Sequence, residues 1–143
     1  MAELIIIPSI IIGLIIGFYE LILIHKDMNF RGSHWLGHGI QAAFFAVLFT
    51  FASMNVDYVV ELFPFLSSFT LGLVSSALAI RLLIGIIAII KIQAASAVVR
   101  GGTGVAARGL REHFIHTFVV AFLIVIVPYI YPFIAPIFPE GLR

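Results

Sequence analysis

The chain contains no cysteine. That excludes disulfides, thiolate metal sites and cysteine nucleophiles, and it leaves the redox compartment open. Charge is almost as scarce, with eight Lys/Arg and seven Asp/Glu in 143 residues, or 10%, against 62% hydrophobic residues. An ordinary soluble domain is about a quarter charged and about half apolar. So few charges cannot coat a water-soluble globule of this size, which argues against a soluble enzyme and against a disordered tail. A formal net charge of +1 provides no electrostatic attraction for nucleic acid.

What the chain has in abundance is long apolar sequence. A helix needs about 20 apolar residues to cross the roughly 30 Å hydrocarbon core of a bilayer. Four segments meet that requirement, at residues 4–24, 34–55, 64–90 and 113–138. They are unbroken, whereas barrel strands alternate apolar and polar residues over about ten positions. The expected fold is an all-α integral membrane protein, a single domain over residues 1–143 with four transmembrane helices in a bundle. Residues 25–33 and 91–112 are the loops expected in the cytoplasm. The opening Met1-Ala2-Glu3 lacks the basic start of a signal peptide, and the apolar run after it is too long, so it reads as a span.

Basic residues near the spans set the orientation. Lys26, Arg31, Lys91, Arg100, Arg108 and Arg111 fall on the side of the first and third loops, and only Arg143 falls on the other. Glu3, Asp57, Glu61 and Glu140 favour that second side. This places both termini on the non-cytoplasmic side of a multi-pass protein of the cell membrane. In the fourth span Pro128, Pro132 and Pro136 recur every four residues, and each removes a backbone hydrogen bond. The span is expected to be regular before Pro128, then kinked, partly unwound or leaning along the interface. Tyr129, Tyr131 and Phe133, with Tyr58 and Phe65, would form an aromatic belt there.

Charges inside the spans need partners, because each costs about 2.5–3.5 kcal/mol on insertion scales. Glu20 lies roughly 6 Å inside the cytoplasmic end of the first span, at 1.5 Å per residue. Arg81 lies roughly 14 Å inside the same end of the third, by the same rise. Both side chains are long enough to close that difference by snorkelling. A Glu20–Arg81 ion pair that locks the bundle is one reading, and a transport or proton relay through these residues is another.

All five histidines fall on the cytoplasmic side. His34 and His38 are one turn apart on one helix face, and His113 and His116 stand at i, i+3. With Asp27 or Glu20 nearby they form a candidate metal site, although interfacial histidines also bond simply to loops and headgroups. The residues suggest a metal there, with a haem or quinone contact as the other reading, and nothing requires a cofactor. Gly13-x3-Gly17 fits the close-approach pattern of membrane helices, and Gly72 and Ser76 offer a second small face. A packing partner within the chain and one in another subunit fit equally well. The run Arg100-Gly101-Gly102-Thr103-Gly104 lacks the Lys-Ser/Thr of a phosphate-binding loop. It reads as a connector whose Arg100, with Arg108 and Arg111, meets anionic lipid headgroups.

Almost nothing is left over to form an extramembrane domain. The expected function is therefore a small non-catalytic membrane subunit, whose partners are the bilayer and other subunits or copies of itself, without nucleic acid. An oligomeric channel or transporter using Glu20 and Arg81 is the first alternative. A histidine-based metal-dependent membrane enzyme is the second.

Overall fold

The computed structural model describes residues 2–26, 35–69, 75–98 and 114–142, and every regular element among them is helical. In chain order these are α1 (Ile7–Lys26), α2 (Trp35–Met54), the short α3 (Val56–Leu62), α4 (Ser76–Val98) and α5 (Phe114–Ile134). Single 3-10 turns follow α3 at Pro64–Ser68 and α5 at Ala135–Ile137. Helix suits these runs because it satisfies nearly all backbone groups within one segment, as hydrocarbon demands. Pro8 sits at the second position of α1, where its missing N–H breaks no intrahelical bond.

The long helices alternate in direction. The backbone N–H of Ile5, just before α1, donates to the Asn55 side chain just after α2. Arg81, near the start of α4, bonds to Ser53 near the end of α2 and to Tyr129 late in α5. Gln93, late in α4, donates to Thr117 early in α5. One end of the bundle thus collects the start of α1, the α2–α3 corner, the start of α4 and the end of α5. Glu3, Asp57 and Glu61 also lie there, and it is called the acidic end below.

α1 and α2 form the closest pair. A Cβ added at Gly13 would stand 2.8 Å from the Val47 Cα, and one at Gly17 would stand 2.9 Å from the Ala43 carbonyl oxygen. Backbone meets backbone at both places, so the Gly13-x3-Gly17 face is filled by a helix of the same chain. The core interleaves Ile12, Ile16 and Ile24 with alanines of α2 and α4 and with Val120 and Ile124 of α5. Outward-facing positions such as Phe18, Phe44, Ile86 and Phe122 are exposed and apolar, as contact with lipid tails requires.

Three helical stretches are long and apolar enough to cross a membrane: Ile7–Lys26, Ser76–Ala95 and Phe114–Ile137. A fourth results if Gly39–Met54 and Val56–Leu62, which meet at 52°, are taken as one broken span.

The third apolar run folds differently from its expected single helix over 64–90. Pro64–Ser68 is a 3-10 turn in which the Ser67 hydroxyl donates 2.6 Å to the Pro64 carbonyl, and α4 begins only at Ser76. α4 then continues past Ile90 to Val98, because Lys91 lies on an exposed position and does not interrupt the buried stripe. The fourth run loosens only in its last turns. α5 stays helical through Pro128 and Pro132 and tightens to a 3-10 turn only at Ala135–Ile137, beside Pro136.

Candidate functional site

Arg81 is the best-defined polar centre. α4 brings it in about one and a half turns from the start of the helix, and its side chain is 4% exposed. Nε donates 3.1 Å to the Ser53 carbonyl, one amino group donates 3.2 Å to the Tyr129 hydroxyl, and the other lies 2.6 Å from Asp57 Oδ2. The guanidinium carbon stands 5.0 Å from the Tyr129 ring centroid, within cation–π range. A single side chain thereby ties the last turn of α2, the first turn of α3 and the outer part of α5 to α4. The Asp57 side chain is 59% exposed, so water shares in solvating the pair.

The expected Glu20–Arg81 pair does not form, since Arg81 bonds to Asp57. The cause is the shifted third helix. With α4 starting at Ser76, Arg81 lies near the acidic end, while Glu20 lies toward the opposite one. Gly17 meets Ala43, and Ser53 is ten residues further along α2, so the two charges are separated by about 15 Å or more along the bundle. Asp57 carries an acidic charge just past the end of the second apolar run, and that was the signal for the true partner.

Asn55 is a second centre at the acidic end. Its side-chain oxygen accepts from the Ile5 N–H at 2.7 Å, and its amide donates to the Ile5 carbonyl at 3.0 Å and to the Phe51 carbonyl at 2.8 Å. It therefore pairs with the non-helical segment before α1 much as a neighbouring strand would. The Ala2 N–H adds a bond of 2.6 Å to Glu61 on α3. Asn and Asp compete with helix by bonding to nearby backbone, which explains a corner at Met54-Asn55-Val56-Asp57. Beside the corner opens an apolar groove of about 570 Å³, lined by Leu4, Phe51, Val59, Phe69 and Leu83 among others.

Toward the other end, Glu20 is fully buried, at 0% exposure, on the core face of α1. Gln93 and the buried Thr117 bond at 2.7 Å across the α4–α5 seam. His25 is exposed and His116 half-buried. Among the described residues no group of three His, Asp or Glu side chains comes together to hold a metal. Asp27, His34 and His113 lie outside the described residues, as does the His38 side chain. So do Gly72, Arg100, Arg108 and Arg111, while Ser76 opens α4 at a half-buried position. At the acidic end Phe65 and Phe133 are 72% and 83% exposed.

Comparison with protein-family models, with curated proteins and with solved structures returns no match. The chemistry of the site therefore has to be argued from its own geometry.

Proposed function

We propose that the chain is a four-span membrane protein that packs as a small non-catalytic subunit within a larger membrane assembly. Both termini and the acidic end lie on the non-cytoplasmic side. The basic loops 25–33 and 91–112 lie in the cytoplasm, where Arg100, Arg108 and Arg111 meet anionic headgroups. The observation that carries this reading is the use made of Arg81. An intramembrane charge is a functional candidate by default, yet this one directs all three of its nitrogens to the chain's own α2, α3 and α5. Its work is to hold helices in place. The apolar flanks of α1, α4 and α5 then offer packing surface to neighbouring subunits and lipid.

Gentle extraction from native membranes, followed by native mass spectrometry with metal analysis, tests the reading. Heterologous subunits that stay bound support it. A metal-free assembly of identical chains would replace it with a channel or transporter, and a stoichiometric metal would replace it with a histidine-based site. The transporter is the second reading because Glu20 is a carboxyl group with no exposure inside the bundle. It predicts flux in liposomes that Glu20→Gln abolishes.

A further inference from the structure

The core near the acidic end is unusually polar for a membrane bundle. Ser9, Thr50 and Ser53 are all fully buried, at 0% exposure. Ser9 satisfies its hydroxyl locally, donating to the carbonyls of Ile5 at 2.6 Å and Ile6 at 2.7 Å. The hydroxyls of Thr50 and Ser53 have no hydrogen-bond partner among the described residues. Two dry hydroxyls in a hydrocarbon-surrounded core are costly, and a spanning structure ordinarily satisfies such groups with protein or with ordered water.

The spacing suits water. Thr50 and Ser53 stand at i, i+3 on α2, so they share a face with Cβ atoms about 5–6 Å apart. Two O–H···O bonds of about 2.8 Å laid end to end cover that distance. Opposite Thr50 the neighbouring helix presents Gly13, which has no side chain to offer either hydroxyl a hydrogen bond. A third polar group lies at similar depth on α5. Pro128 has no N–H to offer the carbonyl of the fully buried Ile124, four residues before it. Tyr129 and Ser53 are level through Arg81, and Thr50 and Ile124 lie just under one turn and about one and a half turns inward from them.

We propose that a buried water molecule bridges Thr50 Oγ1 and Ser53 Oγ inside the bundle, with the Ile124 carbonyl as the third polar group of the same layer. Each hydroxyl both donates and accepts, and a buried water needs two to four such partners. Arg81, bonded to the carbonyl of Ser53 itself, disfavours a metal cation there. Asp57, already on that guanidinium, disfavours an anion. The result is a hydrated step inside the acidic end, directly behind the Arg81–Asp57 pair.

Thermal unfolding of the full chain in detergent tests this with Thr50→Val, Ser53→Ala, the double variant and Thr50→Ser. Thr50→Val keeps the shape and removes the hydroxyl, whereas Thr50→Ser keeps the hydroxyl. A shared water predicts that Thr50→Val and Ser53→Ala each lower Tm by about 2–4 °C, that the double variant falls no further, and that Thr50→Ser stays near the parent. A Thr50→Val Tm at or above the parent, or strictly additive losses, would overturn the proposal. Should a variant fail to fold, the unmodified chain decides by NMR: an NOE from a long-lived water to the Thr50 methyl group is expected, and its absence counts against the site.

Discussion

The two ends of the bundle bury polar side chains for different reasons. Among the described residues of the acidic end the backbone leaves regular helix before α1, at the 52° corner between α2 and α3, after Leu62 and after Ile134. Arg81 and Asn55 stand at these breaks and bond to backbone or to residues just beyond them. Toward the other end the described helices are regular, and the buried Glu20 and Thr117 and the half-buried Gln93 sit within their bodies. Broken backbone in lipid must be re-satisfied, so the acidic-end side chains have a structural reason to exist. Glu20 sits fully buried within the body of α1, which makes it the residue to watch for any activity.

The contrast can be broken or sharpened by substitution. Arg81→Ala should have the largest effect, about 2–3 kcal/mol of stability in detergent unfolding, toward the low end for a buried charge because Asp57 is free to rehydrate. Arg81→Leu should cost less than Arg81→Ala, since it refills the volume. Gly13→Ala comes next, at about 2 kcal/mol, because the new methyl would meet the Val47 backbone rather than a flexible side-chain tip. Asn55→Ala should cost about 1–2 kcal/mol by stripping the Ile5 N–H and carbonyl of their partner, and hydrogen exchange should show the Ile5 amide losing protection while that of Gln93 does not change. Asp57→Asn should have the smallest effect, below about 1 kcal/mol, since its side chain is 59% exposed and screened. Raising the salt concentration should shrink the difference between Asp57→Asn and the parent.

Much of this fold can be read from apolar run length. The first, second and fourth runs coincide with α1, α2 and α5 within a few residues, because an unbroken apolar stretch near 20 residues admits few other structures in lipid. The third run misleads because hydropathy cannot separate a 3-10 turn from a spanning helix. Phe63-Pro64-Phe65-Leu66 is as apolar as a helix interior, and Lys91 looks like an end although it merely points outward. The observed helix starts 12 residues later and ends 8 residues later than the expected window of 64–90. Those two errors also measured the depth of Arg81 from the wrong end, and so matched it to Glu20 in place of Asp57. The Gly13-x3-Gly17 spacing was visible as a close-approach face, but its occupant was not, because a glycine pair says how near a helix comes and not whose helix it is. The Asn55 contact joins residues fifty positions apart and has no local signature beyond the Asn itself.

The most direct test concerns the partner of Arg81, on which the division between the two ends depends. Unfolding free energies would be measured in detergent for Arg81→Leu, Asp57→Asn, Glu20→Gln and the two double variants that include Arg81→Leu. Coupling between Arg81 and Asp57, with additive effects of Arg81 and Glu20, is the expected result. Rescue of Arg81→Leu by Glu20→Gln, with no coupling to Asp57, would contradict it and would return the buried charges to a single pair at mid-bundle.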